Sequence, residues 1–187
     1  MKKHKLFIIE GFDRTGKDYT LSYIEDLYKD KNLCIYKQNN TPPPYRNCPE
    51  EFGIWLTKFL KQQAEDLVSI GNNILMARLF TSEHVYSNIF RQGNNVISQE
   101  LESYLTDNFD VYQYIILFKD YQNYLTRCKQ LNEPEIEYSE DEFNKICDLY
   151  TNSPYNKKFN TTVFRISASF DNNVANSILT NIQETLC

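Results

Sequence analysis

Apolar residues in this chain come in short runs separated by polar stretches of helix length. Leu6-Phe-Ile-Ile9 is long enough for a buried strand. A helical spacing follows, with Leu21, Ile24 and Leu27 on one face of a helix from Lys17 to about Lys29. Leu33 to Tyr36 predicts a second strand, and Ile54 to Ala64 a helix with Ile54, Trp55, Phe59 and Leu60 in its apolar stripe. Ile74 to Phe90 reads as the longest helix, turning Leu75, Leu79, Val85, Ile89 and Phe90 to the core. Val96-Ile97 predicts a third strand. Tyr112 to Phe118 predicts a fourth, buried on both faces, and Thr162 to Ile166 a fifth.

The polar residues punctuate this pattern. Thr41-Pro-Pro-Pro removes backbone donors and favours an extended connector. Gly93-Asn-Asn is a turn signal. Asp120 is placed to cap a helix carrying Tyr124 and Leu125. Ser139-x-x-Glu142 is a capping box before Phe143, Ile146, Leu149 and Tyr150, and Asp171 precedes a last helix with Val174, Ile178 and Ile182 on its apolar face. Strands alternating with helices predict an α/β fold: five parallel strands between two helical layers, in one domain of 187 residues. Ligands then bind beyond the carboxyl ends of the strands. The segments expected on that rim are 10–17, 37–46, 98–104, 119–120 and 167–170.

The first rim segment carries chemistry. Gly11 to Lys17 spells G-x-x-x-x-G-K between a strand and a helix. Glycines let the backbone wrap a polyphosphate, loop N–H groups and the helix N-terminus point at the anion, and the lysine adds a point charge. Gly11, Phe12, Asp13, Arg14, Thr15, Gly16, Lys17, Asp18 and Tyr19 form the candidate phosphate site. Position 18 departs from the pattern, since a serine or threonine hydroxyl normally follows the lysine and meets Mg²⁺. Asp18 offers a carboxylate instead, a hard oxygen ligand suited to a helix N-terminus. Thr20 cannot take over, because two residues along a helix is a rotation of about 200°.

Composition narrows the surroundings. A net charge of −5 gives no broad basic surface for duplex nucleic acid. Only four apolar residues follow the basic N-terminus, too few for a signal peptide, and no apolar run is long enough to span a membrane. The expectation is a soluble, intracellular, cytoplasmic protein. Its five cysteines are odd in number and form no C-x-x-C pair, which fits reduced thiols better than zinc or disulfides.

Glu10-Gly-Phe-Asp-Arg-Thr-Gly-Lys17 resembles the start of a thymidylate kinase, where E-G-x-D-R-x-G-K-[ST]-T is the pattern of the eukaryotic and viral branch. Weaker echoes run through the chain: Ser82-Glu-His-Val85 resembles the segment before the third strand, Ile136-Glu-Tyr the end of the lid, and Ile166-Ser-Ala-Ser the end of the last strand. The resemblance implies a P-loop nucleotide kinase using ATP and Mg²⁺, with nucleotides as its partners and a homodimer common in the family. It assigns Lys17 and the loop amides to the phosphates, Arg14 to the transferring phosphoryl group and Asp13 to the acceptor nucleotide. The lid, residues 128–138, has no arginine, which agrees with the branch that carries this arginine in its loop.

Other positions differ from the family. After the third strand it has Asp-Arg-Tyr, the Asp supporting the metal and the Arg binding acceptor phosphate. Here Val96-Ile97 is followed by Ser98-Gln99-Glu100-Leu101. Glu100 is either a shifted metal carboxylate or a surface charge. Arg46 and Arg78, the latter expected on the long helix, are candidates for the acceptor phosphate or are ordinary surface arginines. Tyr45, Phe52 and Tyr104 are candidates to stack on a base or to pack in the core. Three functions follow: a kinase for dTMP or a related pyrimidine deoxynucleotide, a kinase acting on a nucleoside or a modified base in DNA, and a non-catalytic nucleotide-binding or structural protein that kept the fold.

Overall fold

The computed structural model describes residues 3–30, 32–36, 49–69, 71–93, 95, 97–131, 138–168 and 172–187. In chain order the elements are β1 (His4–Gly11), α1 (Lys17–Leu27), β2 (Leu33–Tyr36), α2 (Pro49–Ser69), β3 (Asn73–Ala77), α3 (Phe80–Phe90), α4 (Gln99–Asn108), β4 (Phe109–Phe118), α5 (Tyr121–Leu131), α6 (Glu140–Thr151), α7 (Tyr155–Lys158), β5 (Asn160–Ile166) and α8 (Asn172–Leu186). The strands form one parallel five-stranded sheet in the order β2-β3-β1-β4-β5. This is the expected α/β fold.

Strand alternation builds the core in two layers. Phe7 and Ile9 of β1 enter a cluster with Leu21 and Ile24 of α1, Tyr124 of α5, Ile146 and Tyr150 of α6, and Ile178 and Ile182 of α8. Leu6 and Ile8 face the other way, onto Leu60 and Ala64 of α2 and Leu101 and Leu105 of α4. Gln113 of β4 is fully buried yet satisfied. Its carbonyl accepts from Thr81 Oγ1 at 2.9 Å and its amide donates to Asn156 Oδ1 and Thr161 Oγ1, tying α3, α7 and β5 to β4.

Several boundaries differ from the sequence reading. Residues 74–90 are not one helix. Ile74-Leu75-Met76-Ala77 lies in β3, hydrogen-bonded between β2 and β1 and buried on both faces. Burial on both faces removes the alternation that marks a strand. Arg78 therefore sits between strand and helix rather than on a helix. Ile97 is buried but not in a strand, and residue 96 lies outside the described residues. Segment 98–104 is no open rim: Ser98 caps α4, accepting from Leu101 N at 3.1 Å. Leu27, Ile54 and Phe90 are exposed instead of buried; Leu27 and Phe90 are the last residues of their helices. Two of the expected caps fall on either side of the description. Asp120 Oδ1 accepts from Asn123 N at the start of α5, whereas Asp171, like rim segment 37–46 and Val96, lies outside the described residues.

The capping box is present in full. Ser139 Oγ accepts from Glu142 N, and Glu142 Oε2 accepts from Ser139 N at 2.8 Å. Ser139→Ala is expected to lower stability by about 1 kcal/mol in urea unfolding, since the exposed cap holds one end of α6 and little else.

Candidate active site

β1 delivers the loop to the centre of the sheet. At Gly11 the backbone has φ 136°, and a Cβ there would lie 2.1 Å from the Ile116 carbonyl oxygen of β4. Phe12 N donates to that same oxygen at 3.1 Å. Arg14 and Gly16 both adopt left-handed backbone, with φ 65° and 81°. Thr15 Oγ1 donates to Phe12 O at 2.7 Å and closes the turn from inside. Gly16 begins α1 without a side-chain cap, which leaves first-turn amides for an anion. Thr20 is turned inward, its hydroxyl donating to Gly16 O at 3.0 Å.

Lys17 is buried and folded back over its own loop, donating to Gly11 O at 3.0 Å and Phe12 O at 2.5 Å. Burial, and secondarily the Arg78 charge, push its pKa down to about 7, against the pull of Asp13, Asp18 and Glu10. Asp18 is exposed in the first turn of α1. Tyr19 turns its ring outward, donating to Asn172 Oδ1 of α8 at 3.0 Å.

Across from this loop stands the end of β3. Arg78 has φ 58°, its N–H donates to Ile9 O at 2.9 Å, and its guanidinium Nη2 lies 3.3 Å from Asp13 Oδ1. The other Asp13 oxygen accepts from Tyr138 Oη at 3.3 Å. Tyr86, on α3, lies beside Asp13 and stacks on Phe90 with centroids 5.8 Å apart, while its buried hydroxyl makes no close hydrogen bond among the described residues. Burial raises the pKa of Tyr86 and Tyr150 well above the ordinary tyrosine value, so both stay protonated donors. Tyr150 Oη donates to Gly11 O at 2.8 Å and sits 3.1 Å from Ser82 Oγ. Beneath all of this is Glu10, with no exposed surface. Its Oε1 accepts from Leu79 N and Thr81 N at 3.1 and 3.0 Å, and Oε2 from Ser82 N at 3.0 Å.

The structure thus brings together Asp13, Lys17 and Arg78, with Asp18 within electrostatic range of both cations. It places other expected residues elsewhere. Arg14 directs Nη1 at Cys128 Sγ on α5. Glu100 pairs with Lys61 of α2 at 2.7 Å and does not join the loop, and Lys61 also lies over the Tyr104 ring. Arg46 and Tyr45 lie outside the described residues. Of the expected lid, Cys128 to Leu131 is the last turn of α5, 132–137 lies outside the described residues, and Tyr138 packs edge-on against Phe12 at 5.5 Å.

The third strand is β3, and it runs straight into Ala77-Arg78-Leu79. An arginine follows it in the register of the family's Asp-Arg-Tyr, with alanine in the place of the aspartate. Ser82 to Val85 accordingly follows the third strand instead of preceding it. Glu10, Tyr86, Tyr138 and Tyr150 were not foreseen as site residues. Their partners are remote in sequence, and only Glu10, inside the first motif, offered a signal.

No family model and no curated protein sequence matches the chain. Solved structures do. The YorR protein of Bacillus subtilis, in complex with phosphorylated GDP, superposes with a TM-score of 0.65 at 15% identity, covering 97% of this chain and 95% of that one. Thymidylate kinase from Candida albicans gives 0.54 at 16% identity, covering 98% and 91%. Deoxyadenosine kinase from M. mycoides, with products dCMP and dCDP bound, gives 0.53 at 15% identity, covering 97% and 98%. The chain has the fold of P-loop nucleoside and nucleotide kinases over nearly its whole length. Among the described residues no helix is long and apolar enough to cross a membrane.

Gly11→Ala is expected to cost more than about 3 kcal/mol or to prevent folding, because a central-strand carbonyl blocks the new methyl and the backbone is left-handed. Thermal unfolding of the variant checks this.

Proposed function

We propose that the chain is a nucleoside monophosphate kinase that moves the ATP γ-phosphate to dTMP or a related pyrimidine deoxynucleotide. The observation that carries this reading is the pair of cations, Lys17 and Arg78, on facing loops at the carboxyl ends of adjacent strands with Asp13 beside them. Lys17 and the loop amides hold the donor polyphosphate. Arg78 holds the acceptor phosphate, and Asp13 with Tyr86 orients the acceptor sugar. In transfer, the bond from the γ-phosphorus to the β,γ-bridging oxygen breaks and one to an acceptor phosphate oxygen forms. Arg14, swung from Cys128, meets the charge that develops on the transferring group.

Mg²⁺ fits this site as a companion of ATP. Asp13 is engaged by Arg78 and Tyr138, and Ala77 has no ligand to offer, so Asp18 is the exposed carboxylate beside Lys17. One carboxylate, phosphates and waters are a common Mg²⁺ environment, and the ion would neutralise phosphate charge. Among the described residues no cluster of three or more acidic, His or Cys ligands offers an alternative.

A second reading takes a free nucleoside as acceptor. It draws on the deoxyadenosine kinase among the structural neighbours and on the buried Tyr86 hydroxyl beside Asp13, a pair suited to a sugar hydroxyl. The test is ADP release from ATP and Mg²⁺ across deoxynucleoside monophosphates, nucleosides and DNA. Turnover on a monophosphate is expected, falling at least about 100-fold in Lys17→Ala. Turnover on nucleosides or DNA alone moves the assignment to those acceptors. Silence from folded protein leaves a non-catalytic nucleotide binder or structural protein.

The lysine also predicts a pH dependence. In the empty site Lys17 loses its proton above about 7, whereas a bound polyphosphate favours the charged form. ATP binding from about pH 7.5 to 9.5 should take up close to one proton, and affinity should fall by up to about tenfold per pH unit. Calorimetry in buffers of different ionisation enthalpy reads the uptake, which Lys17→Met abolishes. For folding the direction is opposite. The folded pKa lies below the ordinary value of 10.5, so this group adds stability to the empty protein as pH rises through about 7 and onward.

A further inference from the structure

Helix α3 starts without a polar cap of its own. Its N-cap residue is Leu79, whose side chain has nothing to offer the first-turn amides. The cap comes from another strand. Glu10 of β1 reaches under the loop and takes the N–H groups of Leu79, Thr81 and Ser82, while its neighbour Ile9 takes that of Arg78 through its carbonyl at 2.9 Å. Four contacts from two residues of β1 thus fix residues 78, 79, 81 and 82. Arg78 lies inside this clamp and holds a left-handed backbone, φ 58°, that a residue with a side chain rarely adopts unless its surroundings impose it. Tyr150 reinforces the junction by bonding Gly11 O and approaching Ser82 Oγ.

A buried carboxylate is an expensive way to cap a helix, since a serine or aspartate at position 79 would do so locally. What Glu10 alone can do follows from its place in the chain. It directly precedes Gly11, so one side chain joins the phosphate loop to the segment that presents Arg78. We propose that Glu10 is a positioning residue: it holds Arg78 in its left-handed conformation and thereby sets the separation between the donor loop and the acceptor-phosphate arginine. This rests on the kinase reading above, in which Arg78 binds the acceptor phosphate. In-line transfer depends steeply on that separation.

The experiment is a double-mutant cycle of Glu10→Gln and Arg78→Ala. It is read by acceptor KM, kcat and calorimetric ATP affinity, with the monophosphate selected by the panel above, dTMP in the first instance. Glu10→Gln keeps the size of the side chain but turns one acceptor oxygen into a donor facing N–H groups. It should raise acceptor KM about tenfold and lower kcat, leave ATP affinity within about twofold, and add nothing further to acceptor KM in the Arg78→Ala background. Glu10→Asp, too short to span the three amides, should behave like Glu10→Gln. Additive effects overturn the proposal, because Glu10 would then act without Arg78. So does a Glu10→Gln protein that fails to fold or loses ATP together with acceptor, since Glu10 would then hold the fold as a whole. An Arg78→Ala protein with unchanged acceptor KM, or wild-type protein that binds no monophosphate, overturns the acceptor reading itself and the role of Glu10 with it.

Discussion

A carboxylate with no exposed surface lies at the carboxyl end of the central strand. Removing such a charge from water is costly, and the cost is offset only by close and complete pairing. Three backbone amides and the positive end of a helix supply that pairing at Glu10. The arrangement constrains everything around it. β1 must lie beside β3, α3 must begin where it does, and the loop from Gly11 to Lys17 must leave the sheet directly above. Burial raises the Glu10 pKa, while the Ser82 hydroxyl and the amides of Ser82, Thr81 and Leu79 pull against that rise.

The parts of this structure that were legible in the sequence are those whose causes are local. Gly11 to Lys17 needs its glycines within seven residues, and the Ser139–Glu142 box closes within one helical turn. Strand β2 matched its apolar run residue for residue. The β3–α3 junction was hidden for a physical reason. β3 is covered on both faces, so Ile74 to Ala77 shows no alternation, and no glycine, proline or asparagine separates it from α3. The turn is made instead by Arg78, a residue type that gives no hint of left-handed backbone. Misplacing that one strand also misplaced Arg78, and it directed attention to Glu100, whose real partner is Lys61.

Contacts between distant residues account for what else was missed. Asp13 was foreseen, but its partners Arg78 and Tyr138 stand 65 and 125 positions away. The Tyr86 hydroxyl is conspicuous only because the fold buries it. Aromatic residues are plentiful in this chain, with 14 tyrosines and 12 phenylalanines, so no single one stood out before its surroundings were visible.

The resting pose of Lys17 has a further consequence. Its ammonium already has two carbonyl partners inside the loop, so an incoming anion must compete with the protein for its own cation. A singly charged ion bringing one or two oxygens gains little by that exchange. A polyphosphate bringing many, and engaging the loop amides at the same time, would be able to draw the lysine out. On the kinase reading proposed above, the loop would therefore work as a threshold rather than a sink, leaving abundant small anions in solution and yielding to a ligand of high charge density.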